Sequence, residues 1–484
     1  MSFLSLPFVL FVAVTMGAFQ LSPTRFRAHV LLGASYLFYA TRSPSYAVLL
    51  FVVTLVVYWA ALAIERGPTE RAKLRLIGIS VAALVFLLAG FKLASALWPW
   101  SSANVDGGNE SAALRVLIPL GLSYYLFKLI GYLLDVYWEN LPVQRSFVSL
   151  ALYASFFPQI VSGPIQRAGD FFEQAGHYDE LDPAVVARGL RRILFGLFKK
   201  MAIADRLAVL VDAVHASPSS YSSLELLLAA YLFALQLYAD FSGVTDIAIG
   251  LGQLFGVTGP ENFDLPFFSR NLQEYWRRWH ISLTSWLADY LFTPLRMALR
   301  DLGQLGLALA ILVNMVAIGV WHGAAWTYAA FGLLHGVLLV ASVLTLKKRD
   351  AFFRTHPRLS RLRTFTAPLG TFHLVVLGLV IFRASSLGLA KEYLAHFVTG
   401  LRGGAIAATR IDFGLLQMAP KLLLGILVLG VFMELVNWAA RQPGWSRRFI
   451  AAPRIYRWAL YYAVILLILA VGRLGEEQFI YAQF

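Results

Sequence analysis

Residues 46–64 read YAVLLFVVTLVVYWAALAI, an apolar run without a single charged side chain. A helix needs about 20 such residues to cross a membrane, and in lipid its backbone amides must be satisfied within the segment itself. Similar apolar runs recur at residues 3–20, 76–97, 116–136, 224–237, 308–320, 327–344, 374–382, 421–436 and 459–471. The pattern predicts an all-α, polytopic membrane protein with roughly 11–13 membrane-embedded helices.

The composition agrees with this class. Of 484 residues, 59% are hydrophobic and 14% are charged, which is more apolar than a soluble globular domain requires. No repeat or soluble module stands out, so residues 1–484 are predicted to form a single membrane domain. The chain has no cysteine, which excludes disulfides and thiolate catalysis.

The net charge of +14 is distributed as a topology signal. Basic side chains cluster near residues 66–75, 347–363 and 441–457, whereas residues 99–112 and the tail after Arg473 carry only acidic ones. Basic loops stay in the cytoplasm, so both termini are expected on the opposite side. We expect membrane lipid around the protein and no nucleic-acid partner.

Two segments place histidine among tryptophans: WRRWH at residues 276–280 and WHGAAW at residues 321–326. A titratable imidazole at membrane depth is costly, so by default it marks a functional site. From residue 272 a helical period puts Trp276, His280, Leu283 and Leu287 on one face. A tryptophan-bearing interfacial helix would look similar, but it would not need the neighbouring arginines and Ser/Thr residues.

The second segment carries small residues after its histidine. Ala325, Ala329, Gly332 and Gly336 follow His322 at helical spacing and are predicted to share its face. Such a stripe either lets helices pack closely or opens a passage for substrate, and both interpretations stay open. His335 lies elsewhere on the helix and is predicted to be a structural or hydrogen-bonded histidine.

The spacing of the polar residues disfavours two kinds of catalytic site. His280 and His322 have no His, Asp or Glu at short spacing, so a metal site is disfavoured and none is predicted. No Gly-x-Ser-x-Gly elbow is present, which disfavours a serine hydrolase. General acid–base chemistry by imidazole remains.

Further motifs, in order, resemble those of the membrane-bound O-acyltransferases, and within them the alginate O-acetylation subfamily. They are IPLGLSYY at 118–125, YLLDVY at 132–137, FFPQIVSGPI at 156–165, GLFKK at 196–200, IAD at 203–205, YADFSG at 238–243, DIAIG at 246–250, both tryptophan–histidine segments and FIYAQF at 479–484. The resemblance covers most of the chain. Ala288, where the subfamily usually has arginine, is a departure that leaves the acceptor unspecified.

The resemblance implies a helical bundle with a central funnel in the inner membrane of a bacterium, and an enzyme that moves an acetyl group. His322 would be the catalytic histidine and His280 the second motif histidine. The implied acyl donor is cytosolic acetyl-CoA, with no bound cofactor, and the acceptor is an extracellular polysaccharide reached through a periplasmic SGNH-type acetyltransferase. We expect His322 to be reachable by a thioester from the cytosol and by an alcohol from the opposite side.

Supporting roles follow as expectations. The phosphates of acetyl-CoA are expected to contact basic side chains, namely Arg277, Arg278, Lys199 and Lys200. The substrate tunnel is expected to be lined by Trp276, Trp321, Trp326, Ala325 and Ala329, with His280 or Trp276 as oxyanion donor.

Two other functions stay open. One is D-alanyl or other acyl transfer from a carrier-protein thioester. The other is transport of an acylated carrier without chemistry, although the inverted repeats and broken helices typical of transporters are not found.

Overall fold

A computed structural model of the chain describes residues 5–97, 119, 121–175, 182–402, 411–416 and 418–473. Within these ranges the secondary structure is helical and no strand is present, apart from one isolated bridge between Phe263 and Trp279. The all-α prediction is confirmed. The acidic stretch at 99–112, residues 118 and 120 of the motif at 118–125, the acidic tail after Arg473 and the motif at 479–484 lie outside the described residues.

Eight helices are long and apolar enough to span a membrane. They are Pro44–Glu65, Glu70–Ala94, Ser223–Leu254, Arg300–His322, Trp326–Leu344, Pro357–Arg383, Pro420–Ala440 and Arg454–Val471, with two shorter apolar helices at Leu6–Leu21 and Phe147–Ile160. This count covers the described residues alone, and the predicted polytopic membrane protein is confirmed. The predicted total of spans and the funnel stay predictions.

One span is much longer than its hydropathy suggests. The sequence predicts residues 224–237, yet the helix runs from Ser223 to Leu254. The extension contains Asp240, Thr245 and Asp246, which lower the hydropathy but are buried in the protein. Polar groups of this kind are tolerated in a membrane protein when they face its interior.

The described residues divide into two compact units. The first takes residues within Met1–Ile193 and Thr245–Pro260. Its helices are α1 (Leu6–Leu21), α2 (Thr24–Ala40), α3 (Pro44–Glu65), α4 (Glu70–Leu97), α5 (Leu122–Tyr137), α6 (Phe147–Ser155), α7 (Phe157–Ile160), α8 (Ala168–Ala175) and most of α9 (Pro183–Leu197).

Two motifs of the first unit meet at one glycine. Gly121 precedes α5 with φ +71°, and a Cβ there would lie 1.8 Å from the carbonyl oxygen of Ile160 in α7. Only glycine allows both this left-handed conformation and this approach. Beneath the contact, Gln159 donates to Gln166 at 2.7 Å, and the buried Lys128 ammonium lies over the Tyr153 ring. The glycine thus packs one motif directly against the next.

The second unit takes residues within Leu194–Val244 and Glu261–Ile480. Its helices are α10 (Asp205–Ala216), α11 (Ser223–Leu254) up to Val244, α12 (Leu272–Arg278), α13 (Ile281–Leu287), α14 (Thr293–Ala298), α15 (Gly303–His322), α16 (Trp326–Leu344), α17 (Leu346–Thr355), α18 (Pro357–Arg383), α19 (Leu387–Arg402), α20 (Pro420–Ala440), α21 (Trp445–Ala451) and α22 (Arg454–Val471). π-helical segments occupy Phe198–Ala204 and Ala288–Phe292.

α15 and α16 form a tight antiparallel hairpin that depends on glycine. A Cβ on Gly319 would lie 2.2 Å from the carbonyl oxygen of Tyr328, and one on Gly332 would lie 2.4 Å from that of Met315. Further along, Gly336 faces Leu312. Small residues at a helix interface let backbones approach this closely. The hairpin joins the end of α15, which bears His322, rigidly to the start of α16.

This hairpin corrects the predicted small-residue face. α15 ends at His322, Gly323 has extended backbone, and α16 begins at Trp326. Helical spacing therefore does not continue from His322 to Ala325 and beyond, and the prediction that these residues share one face is wrong. Gly332 and Gly336 serve close packing, which is the first of the two interpretations.

Candidate functional site

His280 lies at a break between α12 and α13. The predicted continuous helix from residue 272 is wrong, because Trp279 is extended and His280 has φ +47°, in the left-handed region. A non-glycine residue in this conformation is uncommon and costs of the order of 1–3 kcal/mol, so the surrounding structure must impose it. Such outliers cluster at functional sites.

Asn262 and the residues after it impose this break. The amide of Asp264 donates to the Arg278 carbonyl at 2.9 Å, and the amide of Ile281 donates to the Asn262 carbonyl at 3.0 Å. The amide of Ser282 donates to Asn262 Oδ1 at 3.1 Å, and Asn262 is fully buried. The end of α12 and the start of α13, on the two sides of His280, are therefore both hydrogen-bonded to the 262–264 segment.

The ring of His280 is 1% exposed and packs on two aromatic side chains. Its centroid lies 4.7 Å from that of Phe241, edge to face, and 5.6 Å from that of Trp321. Phe241 belongs to the YADFSG motif of α11. That motif thus supports the second histidine directly.

His322 ends α15 and is 3% exposed. Its ring centroid lies 4.9 Å from that of Trp321, 5.1 Å from that of Phe382 in α18 and 6.5 Å from that of Tyr328 in α16. Trp321 contacts both imidazoles. The structure therefore brings the two histidines, far apart in sequence, onto one indole.

The side chains around His322 affect whether a thioester and an alcohol can reach its imidazole. With 3% of its surface exposed, the imidazole is almost enclosed by rings on three helices. Within the part of the chain that the structure describes, these rings leave little of the imidazole surface exposed. Access from both sides stays a prediction.

Trp276 belongs to a second aromatic group centred on His335. The indole N–H of Trp276 donates to His335 Nδ1 at 3.3 Å, and His335 is fully buried against the Phe331 ring. The prediction that His335 is hydrogen-bonded is confirmed. Because Trp276 has one N–H and gives it to His335, it is disfavoured as an oxyanion donor.

The basic side chains expected to hold donor phosphates are placed very differently from one another. Arg277 is exposed, whereas Arg278 forms an ion pair with Glu274 at 2.6 Å. Lys199 is 3% exposed, with its ammonium over the Phe195 ring. Of these three, the structure leaves Arg277 accessible to a soluble anion, and its role stays a prediction.

Lys200 is held inside the protein by two carboxylates. Its ammonium lies 2.6 Å from Asp240 and 2.7 Å from Asp205, with all three side chains 3% exposed or less. Burial by itself lowers the pKa of Lys200, but the two carboxylates outweigh burial and raise that pKa above its ordinary value. Lys200 is thus a buried structural cation, contrary to its predicted role as a phosphate contact.

The remaining predicted tunnel residues lie at the turn of the hairpin. Trp326 is 79% exposed and Ala325 is exposed, while Ala329 is half-buried. Trp321 is buried between the two histidines. Among these residues, Trp321 is therefore the one that the structure places at the site.

Sequence reasoning missed the residues that position the histidines. Asn262, Tyr328 and Phe382 were not selected, although Asn262 opens the segment that contains His280. Phe241 and Asp240 lie in a quoted motif without a role having been given to them. Asn262 bonds to Ser282, 20 residues away, and Phe382 lies 60 residues from His322, so no local sequence signal indicates either contact.

Among the described residues, no group of three His, Asp or Glu side chains lies close enough together to hold a metal ion.

Comparison with known proteins places this site in a family. Residues 140–373 match the membrane-bound O-acyltransferase family. The chain is 36% identical over 400 residues to the probable alginate O-acetylase AlgI of Azotobacter vinelandii, covering 81% of this chain and 77% of that protein. It is 32% identical over 400 residues to the peptidoglycan O-acetyltransferase of Helicobacter pylori, covering 76% of this chain and 73% of that protein. It is 31% identical over 281 residues to the teichoic acid D-alanyltransferase of Bacillus subtilis, covering 54% of this chain and 68% of that protein.

Proposed function

The chain belongs to the membrane-bound O-acyltransferase family, and from this premise we propose that it moves an acetyl group from cytosolic acetyl-CoA to a hydroxyl acceptor on the other side of the membrane. It is a multi-pass membrane protein and an O-acyltransferase. The observation that carries the proposal is the contact of both histidines with Trp321. This arrangement places two buried imidazole rings against the same indole.

His322 acts as general base in the proposed reaction. The imidazole takes the proton of the acceptor hydroxyl, and the hydroxyl oxygen forms a bond to the thioester carbonyl carbon. The carbon–sulfur bond then breaks, and the leaving thiolate takes the proton back from the His322 imidazolium, so that one ester, one thiol and the neutral imidazole result. Thiolate is a good leaving group, so the step needs little acid assistance.

His280, which also contacts Trp321, supports the same step. Its ring is fixed by the left-handed backbone and by Phe241. An imidazole N–H held in this way is a preorganised donor for the oxyanion of the tetrahedral intermediate. We assign His280 this supporting role, which predicts a partial loss when it is removed.

The acceptor proposed here is an extracytoplasmic carrier of the acetyl group. A periplasmic SGNH-type acetyltransferase would then pass the group to an alginate-like polysaccharide. The similarity to an alginate O-acetylase and a peptidoglycan O-acetyltransferase supports a polysaccharide as the final acceptor. The proposed location is the inner membrane of a bacterium, with both termini outside the cytoplasm.

The test compares two buried histidines in the purified full-length protein. His322→Ala should abolish acceptor-dependent release of free thiol from acetyl-CoA, and in cells it should remove acetyl groups from the secreted polymer. His335→Leu is the matched control, because His335 is equally buried but contacts Trp276. It should keep its transfer rate per folded molecule.

Three results would refute the proposal. Full transfer by His322→Ala would remove the assigned base. Equal loss in both variants, at equal folded amounts, would indicate a general structural effect. Movement of an acylated carrier without any thioester cleavage would indicate a transporter.

A second candidate is D-alanyl transfer from a carrier-protein thioester. It is favoured by the similarity to a teichoic acid D-alanyltransferase, although that similarity covers less of the chain. Parallel reactions with acetyl-CoA and with a D-alanyl carrier protein distinguish the two functions. Thiol release from acetyl-CoA alone supports acetyl transfer, and thiol release from the carrier protein alone supports D-alanyl transfer.

A further inference from the structure

A basic helical hairpin follows the span α16. Between residues 347 and 363 the chain carries Lys347, Lys348, Arg349, Arg354, Arg358, Arg361 and Arg363 against a single acidic residue, Asp350. α17 begins two residues after α16 ends, and α18 begins two residues after α17 ends. The hairpin therefore lies directly at the membrane edge.

The hairpin contains an open pocket of about 460 Å³. Its lining residues come from α17 and the first turns of α18: Asp350, Phe353, Arg354, Pro357, Ser360 and Arg363. Arg363 lies over the Phe353 ring at 4.4 Å and 3.7 Å from Asp350. Its guanidinium is thereby held in place rather than free to move with solvent.

The donors around this pocket match a phosphate group. Two guanidinium groups can each bind phosphate oxygens in a bidentate way. The pocket also includes Ser360 and the N-terminal turn of the 27-residue α18, where backbone N–H groups favour anions. With Arg354, Arg363 and Asp350 all ionised, the lining carries one net positive charge, which complements a phosphodiester with one negative charge.

Apolar side chains beside the pocket indicate where that phosphate comes from. Phe352, Leu362 and Phe365 are 48%, 57% and 76% exposed. Basic residues next to a membrane span, interleaved with exposed aromatic and aliphatic ones, are typical of segments that bind acidic lipid at the membrane surface. We propose that this pocket binds the phosphodiester headgroup of an acidic phospholipid, with Arg354 and Arg363 on the phosphate.

The site is separate from the histidines. His322 precedes the first residue of α16 and the pocket follows its last, so the 19 residues of α16, about 28 Å of helix, lie between them. The proposal therefore does not rest on the acyl-transfer reaction. Its experiment measures lipid binding and is independent of activity.

The experiment titrates the purified full-length protein with short-chain phosphatidylglycerol and follows bound lipid by native mass spectrometry. Arg354→Gln/Arg363→Gln should raise the Kd for this lipid at least about tenfold, equal to about 1.4 kcal/mol. The matched control is Arg358→Gln/Arg361→Gln, which removes the same charge from exposed positions outside the pocket lining. It should change the Kd by less than about twofold.

A third variant tests the pocket without removing a cation. Asp350→Asn deletes the one acidic side chain of the lining and should tighten phosphatidylglycerol binding about threefold. Four results would overturn the proposal: equal weakening in both arginine pairs, equal binding of phosphatidylcholine, no tightening in Asp350→Asn, or displacement of the lipid by inorganic phosphate or coenzyme A. The last would assign the pocket to a soluble phosphate.

Discussion

Asn262→Ala removes the acceptor that holds the first turn of α13 beside His280. Asn262 Oδ1 accepts the Ser282 amide at 3.1 Å, and both residues are buried. Leaving a buried amide without its acceptor costs about 1–3 kcal/mol. The main-chain bond from Ile281 to the Asn262 carbonyl remains, so α13 should loosen rather than unfold.

The expected consequence for activity follows from the strained backbone at His280. Its left-handed conformation, φ +47°, is unfavourable by itself, so a weaker tether lets the backbone relax and turns the imidazole away from Trp321. A misplacement of the order of 1 Å can reduce a rate about 10²-fold. We expect Asn262→Ala to lower the acetyl-transfer rate per folded molecule by about ten- to hundredfold, which corresponds to about 1.4–2.7 kcal/mol.

The assay is acceptor-dependent thiol release by purified protein, with melting in detergent measured in parallel. The matched control is Asn271→Ala, because Asn271 Oδ1 accepts the Glu274 amide at 2.8 Å at the start of α12. That loss should cost about 1 kcal/mol of stability and change transfer by less than about twofold. Unchanged transfer in Asn262→Ala, or an equal decrease in both variants, would refute the reasoning about His280.

Two further predictions concern stability. Lys200→Met should lower the free energy of unfolding by about 3–5 kcal/mol, because it leaves two buried carboxylates without this cation. A normal yield of folded protein on size-exclusion chromatography would contradict this prediction. Gly319→Ala should destabilise the α15–α16 hairpin by about 1–3 kcal/mol, because its Cβ would lie 2.2 Å from the Tyr328 carbonyl oxygen. Gly17→Ala is the control, because no neighbouring atom lies within 4 Å of its Cβ, and it should leave the melting temperature unchanged. Equal melting temperatures of Gly319→Ala and Gly17→Ala would argue against close packing at Gly319.

Spans of the fold were predictable where hydropathy and helix coincide. The sequence predicts a span at 327–344, and the structure gives Trp326–Leu344. Prediction failed where a helix continues through polar residues, as it does beyond residue 237 in α11. Hydropathy measures the cost of exposing a side chain to lipid, and it cannot tell that Asp240 faces Lys200 instead.

The site was predictable in its chemistry but not in its backbone. The tryptophan–histidine segments identify His280, His322 and Trp321, and these residues do meet. Helical periodicity then failed at both histidines, because a period assumes unbroken backbone. Gly323 after His322 is a recognised helix-ending signal, but at His280 the break is imposed by hydrogen bonds to Asn262, which is 18 residues away.

Both histidines lie where a helix ends or begins, and this placement has a physical reason. Side chains within a membrane helix are directed by its regular period toward lipid or a neighbouring helix. At an end, the backbone changes direction and can bring a ring from one helix against a ring from another. His280, before α13, meets Trp321 of α15 in this way, and His322, at the end of α15, meets Phe382 of α18. The breaks that periodicity could not predict are therefore what assembles the site, and residues that enforce them, such as Asn262, are as important to the geometry as the imidazoles.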